Sequence, residues 1–202
     1  MTAYTYGWFY TDEQGQTAAA RTGYVWNFYY GMLRNINKVI NIIGVQSDIT
    51  KRIAEFGLPN TYNEKNEIYY TIVDGDTLTS YTVLEADIAS YYAQALTMRG
   101  YAYSNLIKLY APTNMQLRGA WADETVCPIY NENNLEDAQP VATLKEAYQQ
   151  VENDLTLAIS YFDAFGDTYA RASKLNVDGN VARGLLAYSY LNKAVPSLPS
   201  GK

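Results

Sequence analysis

The sequence predicts an all-α protein in which a few long helices pack side by side, joined by long loops and with at most one small β-hairpin. Two observations predict it. In four long stretches the apolar residues recur every three or four positions, the spacing that places them on one face of an α-helix. Two of these stretches begin at a capping box, in which a threonine stands three residues before a glutamate. The predicted helices cover 22–43, 86–110, 143–165 and 179–194.

The composition is that of a globular chain with a sizeable core: 202 residues, 48% hydrophobic and 18% charged. A net charge of -6 without a run of basic residues argues against nucleic acid as a partner. The chain has no histidine and one cysteine, so it lacks the residue types of zinc sites, Ser-His-Asp triads and Cys-His dyads. We therefore expect no catalysis, no cofactor and no metal site, and we expect Cys127 to be a small core residue. No apolar run is long enough for a transmembrane helix.

Residues 1–20 carry a cluster of aromatic side chains without helical spacing. Two interpretations remain open. In one, the rings pack over the helical core, as most large aromatic side chains do. In the other, they form a stacking surface for a sugar or another flat ligand, close to the polar Asp12, Gln14 and Gln16. The candidate ligand-binding residues in this segment are Tyr4, Tyr6, Trp8 and Tyr10.

The first helical stretch, 22–43, is followed by Gly44, which is suited to the left-handed conformation that often ends a helix. A second, short helix is predicted over 48–56, since Asp48 can cap its first turn and Gly57 can stop it.

Two runs rich in β-branched and aromatic residues, 68–73 and 78–83, follow the short helix. They flank the sequence Asp-Gly-Asp-Thr at 74–77, which predicts a small hairpin with a four-residue loop.

The helix over 86–110 is the most sharply bounded, because Thr82 and Glu85 form a capping box before it and Pro112 cannot continue it. Its predicted buried stripe consists of Ile88, Tyr91, Tyr92, Ala95, Met98, Ala102, Leu106 and Leu109.

The stretch 111–141 shows no periodicity and is predicted to be an irregular loop. It contains Trp121, flanked by Arg118 and Asp123, which is the second aromatic candidate for ligand binding. Three acidic residues, Glu132, Glu136 and Asp137, lack the spacing of a calcium loop, so we expect a solvated loop rather than a cation site.

The last two helices are predicted to form an antiparallel hairpin. A capping box at Thr143 and Glu146 starts the first of them, and either Asp178 or Asn180 can start the second. Small residues on the second helix, Ala182, Gly184 and Ala187, would allow a partner helix to approach closely. This arrangement is typical of tetratricopeptide-like helical-repeat domains, which usually provide binding surfaces. We expect one such domain over residues 1–202.

Four segments, taken in order, resemble the SusD/RagB family of outer-membrane nutrient-binding lipoproteins. The run ALTMRGYAYSNLIKLY at 95–110 is similar to the family's A-x-F-L-R-A-Y-A-Y-F-x-L-x-x-L-F-G helix, and 26–37 is similar to its W-x-x-x-Y-x-x-I-x-x-x-N helix. The stretch 144–162 resembles the E-x-Y-x-x-I-x-x-D-L-x-x-A helix, and 173–191 resembles the T-K-x-A-A-x-A-L-L-A-R-V-Y-L helix.

The resemblance implies a non-catalytic, surface-exposed protein of the cell outer membrane. Such a protein binds an oligosaccharide or another nutrient and hands it to a TonB-dependent, SusC-like transporter. Membrane contact would be made through a lipid anchor absent from this chain, which would correspond to the N-terminal part of a longer SusD-like protein. Arg99 and Asn37 match recurrent family residues. We expect Arg99 to be held by a carboxylate or backbone carbonyls of another helix, and both residues to be structural rather than ligand contacts.

An alternative function of a different class is a tetratricopeptide-like protein–protein interaction module without a small ligand. A lipid-modified cysteine encoded upstream would favour nutrient capture, and a cytoplasmic start would favour this alternative. A third hypothesis, a glycosidase, needs two carboxylates across a cleft, and the pair closest to the aromatic cluster, Asp12 and Glu13, has the pattern of an ordinary turn.

Overall fold

The structure is a computed structural model that describes residues 18–111, 123–134, 137–166 and 176–194. Within these ranges it is dominated by helices, with two small antiparallel sheets, so the predicted all-α class is confirmed. The elements, in chain order, are α1 (Ala18–Ile40), a π-helical stretch (Asn41–Gln46), α2 (Asp48–Phe56), β1 (Thr61–Asn63), β2 (Ile68–Val73), β3 (Asp76–Thr82), α3 (Val83–Tyr110), β4 (Thr125–Pro128), β5 (Val141–Thr143), α4 (Leu144–Phe165) and α5 (Gly179–Ala194).

Helix α3 lies at the centre and packs against α4, α1 and α5. Most of its predicted stripe is buried or partly buried, but Tyr91 and Leu109 are about half exposed, at 51% and 52%. The buried side chains also include Leu96 and Tyr103, which the predicted stripe left out. The contacts of α3 with α1, α4 and α5 explain the difference, because a helix that packs against several neighbours buries a wider face than a single stripe.

Both capping boxes are present. The hydroxyl oxygens of Thr82 and Thr143 each accept the backbone N–H of the glutamate three residues later, at 3.3 Å. The carboxylates of Glu85 and Glu146 accept the threonine backbone N–H in return, at 2.8 and 2.7 Å. Helix α4 begins next to the predicted residue 143, whereas α3 begins at Val83, three residues before the predicted 86, because Thr82 is itself the N-cap.

The predicted left-handed cap at Gly44 is wrong. The chain continues from α1 as a π-helix through Gln46. A Cβ atom at Gly44 would lie 2.7 Å from the ring of Tyr92 on α3, closer than such atoms approach in proteins. The glycine thus permits close contact between the π-helical stretch and α3, a role that depends on a residue far away in the sequence.

The first sheet has the strand order β1-β2-β3 and is antiparallel throughout. The predicted four-residue loop is wrong, because Val73 pairs with Asp76 and leaves a two-residue turn. Both turn residues, Asp74 and Gly75, have positive φ values of 53° and 93°, as in the tight turns that suit the twist of a hairpin. Strand β1 was not predicted.

In a second sheet, β4 lies within the stretch 111–141 that was predicted to be irregular, and β5 begins at the last residue of that stretch. Strands β4 and β5 pair antiparallel, with Cys127 opposite Ala142. Cys127 is fully buried, and burial raises the pKa of its thiol to about 11. These strands are too short to show periodicity, and their pairing depends on residues that are distant in the sequence.

Helices α4 and α5 form the predicted antiparallel neighbours. Asp178 starts α5, since its carboxylate accepts the backbone N–H of Val181 at 2.9 Å. Of the three small residues on α5, Ala182 is buried but Gly184 and Ala187 are exposed. The close approach occurs instead between α3 and α4, where a Cβ atom at Gly100 would lie 2.9 Å from the side chain of Leu155.

Candidate functional site

Five predicted ligand-binding residues lie outside the described part of the chain: Tyr4, Tyr6, Trp8, Tyr10 and Trp121. The two predicted structural residues, Arg99 and Asn37, lie inside it and meet in one buried polar cluster. Among the described residues, no group of three acidic or cysteine side chains is placed to hold a metal ion. None of the helices in the described ranges is long and apolar enough to cross a membrane.

The cluster is built around an ion pair between α3 and α4. Arg99 is 3% exposed, and so is Asp154. Arg99 Nε donates to Asp154 Oδ2 at 2.8 Å, and Arg99 Nη2 donates to Asp154 Oδ1 at 2.6 Å. This two-pronged geometry matches the planar guanidinium to the planar carboxylate. Gln150 Nε2, one turn earlier on α4, donates to Asp154 Oδ1 at 2.9 Å.

The third nitrogen of Arg99, Nη1, joins two more segments to the cluster. It donates to Asn37 Oδ1 of α1 at 3.0 Å and also pairs with the carboxylate of Glu132. Glu132 was predicted to be a solvated loop residue, and this prediction is wrong. Its charge is paired with a buried guanidinium, because the chain after β4 passes over the junction of α1, α3 and α4.

The residues of this passing chain, 129–134, form what we call the anchored loop. Asn37 Nδ2 donates to Tyr130 O at 2.9 Å, and Asn41 Nδ2 donates to Glu132 O at 3.1 Å. The hydroxyl of Tyr103 both donates to Tyr130 O and accepts from Tyr130 N, at 2.8 and 2.7 Å. Side chains from α1, the π-helical stretch and α3 thus supply hydrogen bonds to backbone groups of the loop, which has no strand partner.

The hydrogen bonding accounts for the electrostatics of the ion pair. Burial alone would lower the pKa of Arg99, but hydrogen bonds and charge from Asp154 and Glu132 outweigh burial and raise it. For Asp154, burial raises the pKa of the carboxyl, and the bonds and charge of Arg99 oppose that rise. Burial thus disfavours both charges, and each charge is stabilised by the other in a low-dielectric setting.

The chemistry available to this cluster is positioning rather than catalysis. Both oxygens of Asp154 and all three nitrogens of Arg99 take part in hydrogen bonds within the cluster. A general acid or base must reach the proton that it transfers in a substrate. A paired and buried group cannot reach a proton of a substrate. The cluster is suited instead to holding three helices and a loop in fixed positions.

The sequence predicted part of this cluster. Arg99 and Asn37 were selected by their match to family positions, whereas Tyr103 and Glu132 were not recognised as cluster members. Asp154 was part of a matched motif but was not identified as the partner of Arg99. A polar residue at an inward position of an amphipathic helix, such as Asp154 in α4, is the signal that points to a buried partner.

Comparisons with known proteins agree with this fold. The sequence model of the SusD-like family, described as starch-binding and associating with the outer membrane, matches residues 58–186. A solved structure of a SusD-like carbohydrate binding protein from Bacteroides vulgatus ATCC 8482 is similar, with a TM-score of 0.53 and 22% identity. The likeness covers 83% of this chain and 27% of that one, so this chain spans about a quarter of that protein. No curated protein sequence matches.

Proposed function

This chain belongs to the SusD-like family, and from that membership we propose that it is the helical part of a glycan-capturing surface protein that hands its ligand to a TonB-dependent, SusC-like outer-membrane transporter. The observation that carries the proposal is the family match over 58–186, which includes α3, α4 and the anchored loop. The family is one of non-catalytic binding proteins. The paired, buried charges of the Arg99 cluster are in keeping with a scaffold for binding.

The same proposal covers the cellular location of the protein and the part of it that this chain represents. The protein is exposed at the cell surface and contacts the outer membrane through a lipid anchor. Residues 1–202 form one helical domain at the N-terminal side of a longer SusD-like protein. Support comes from the family description, which places its members with the outer membrane, and from the SusD-like structure, of which this chain spans 27%.

The proposed capture surface includes the aromatic residues Tyr4, Tyr6, Trp8 and Tyr10, with Trp121 as a second contact. A neutral sugar presents apolar C–H faces and hydroxyl groups, so its site needs aromatic rings together with amide or charged side chains. Rings on the helix stripes are largely used in the core. The N-terminal segment has rings without helical spacing and has polar neighbours.

Calorimetric titration tests this function. Wild type and Trp8→Ala are titrated with maltoheptaose and with xylo- and manno-oligosaccharides of similar length. We expect wild type to bind at least one of them and Trp8→Ala to bind it at least about threefold more weakly, the loss typical of one stacking ring. Phe28→Ala is the matched control, because Phe28 is a large ring that is 64% exposed on α1. Equal binding by wild type and Trp8→Ala would place the N-terminal rings in core packing instead.

The alternative function, a protein–protein interaction module, is favoured by one observation. Helix α5 exposes Tyr188, Tyr190 and Leu191, and such side chains are common at protein interfaces. The same titration separates the two functions, since an interaction module binds none of the saccharides.

A further inference from the structure

A cleft of about 400 Å³ lies between the edge of the first sheet and the C-terminal end of α4, away from the Arg99 cluster. Its volume is within the range of small-molecule binding sites. The residues that line it come from the segment before β1, from β1 and β2, and from the last turn of α4. They are Pro59, Asn60, Thr61, Tyr62, Tyr69 and 163–166.

The wall formed by the sheet carries an aromatic platform. The ring of Tyr62 is 44% exposed and lies 4.4 Å from the ring of Tyr69, tilted by 34°. Tyr69 is buried and packs edge-on against Phe165, with ring centroids 5.4 Å apart. The exposed ring is therefore backed by core aromatics, which fixes its orientation before any ligand arrives.

The opposite wall supplies one charged side chain, that of Asp163. Asp163, on the last turn of α4, is exposed and pairs with the guanidinium of Arg183 on α5. A carboxylate offers two acceptor oxygens, which suit the hydroxyl groups of a sugar. The amide of Asn60 is already used, because it bonds both the carbonyl and the N–H of Ile72 on β2, at 2.7 and 3.1 Å. Asn60 thus shapes the cleft floor.

We propose that this cleft is a saccharide subsite, in which a ring of a neutral oligosaccharide stacks on Tyr62 while Asp163 accepts hydrogen bonds from its hydroxyl groups. The subsite rests on the proposed function and adds a second contact point to it, separate from the N-terminal rings. The chemistry of the lining favours a neutral sugar over other ligands. An anion would be repelled by the Asp163 carboxylate. A divalent cation needs several oxygen ligands, and Asp163 is the one carboxylate in the cleft lining.

Four substitutions in the 202-residue chain test the subsite by titration with the saccharide that binds wild type best. Tyr62→Ala removes the platform, and Tyr62→Phe keeps the ring but removes the hydroxyl. Asp163→Asn removes the charge at an exposed position. Tyr91→Ala is the matched control, since Tyr91 is a half-exposed tyrosine on α3 outside the cleft lining.

We expect Tyr62→Ala and Asp163→Asn each to weaken binding at least about threefold, and Tyr62→Phe and Tyr91→Ala to change it less than about twofold. Thermal unfolding of each variant shows whether the fold is kept. If Tyr62→Ala does not fold, Asp163→Asn alone decides, because an exposed ion pair contributes little to folding.

The outcomes separate the subsite from the function. Wild-type binding that Trp8→Ala weakens but Tyr62→Ala and Asp163→Asn leave intact overturns the subsite and keeps the capture function. Absence of saccharide binding by wild type overturns both.

Discussion

At the residue scale, Arg99 is the point at which α1, α3, α4 and the anchored loop meet. Its guanidinium contacts Asn37, Asp154 and Glu132, and it is almost fully buried. A buried charge is costly unless it is paired and hydrogen-bonded. Loss of one partner is therefore expected to affect stability first, and ligand binding only through the fold.

The first prediction is that Arg99→Lys destabilises the protein by about 2 kcal/mol. Lysine keeps the charge but cannot form the two-pronged bond with Asp154 or reach Asn37 and Glu132 at the same time. Urea denaturation of wild type and variant measures the difference in the free energy of unfolding.

Arg183→Lys is the matched control for Arg99→Lys, because Arg183 forms an exposed ion pair with Asp163. Its effect should stay below about 1 kcal/mol. An Arg99→Lys variant with unchanged stability and abolished saccharide binding would instead identify Arg99 as a ligand contact.

At the scale of elements, the helices differ in how closely they approach. The contact between α3 and α4 is tight at Gly100, where an added Cβ would lie 2.9 Å from Leu155. At Gly184 of α5 an added Cβ would meet nothing within 4 Å. Substitution of each glycine by alanine therefore compares two effects on stability: crowding between helices, and the higher helix propensity of alanine.

The second prediction is that Gly100→Ala destabilises the protein and Gly184→Ala stabilises it. In helices, alanine is favoured over glycine by about 1 kcal/mol, which Gly184→Ala should gain. At Gly100 the overpacking of Leu155, typically about 1–3 kcal/mol, should outweigh that gain. Thermal and urea unfolding of both variants check the opposite signs. Stabilisation by both substitutions would show that α3 and α4 are further apart than described.

At the scale of the whole molecule, the core is a set of helices centred on α3, to which two small sheets are attached. The larger sheet packs its buried Tyr69 and Tyr81 against Phe165 of α4. That packing also creates the cleft at the end of α4. The fold therefore combines a helical scaffold with a three-stranded sheet that packs against α4.

The third prediction is a far-ultraviolet circular dichroism spectrum dominated by α-helix, lost in one cooperative transition on heating. The helices share a continuous core through α3, so they are expected to unfold together. A spectrum dominated by β-structure, or separate transitions for helix and tertiary signals, would contradict this fold.

The sequence by itself determined the class of fold and the positions of the main helices. Helix α3 begins at Thr82 and α4 at Thr143 because a capping box involves residues three positions apart, so the whole interaction is present in a local stretch. The match of Arg99 and Asn37 to family positions also selected two members of the buried cluster.

The tertiary structure decided what depends on contacts between distant residues. The partners of Arg99, the close contact of Gly44 with Tyr92 and the pairing of β4 with β5 each join segments that lie far apart along the chain. Periodicity and capping report the local conformation of a segment, and they carry no information on which segment packs against it. Glu132 therefore resembled a solvated loop residue until the folded chain placed it against a buried guanidinium. The platform of Tyr62 on Tyr69 likewise exists only once β1 has paired with β2.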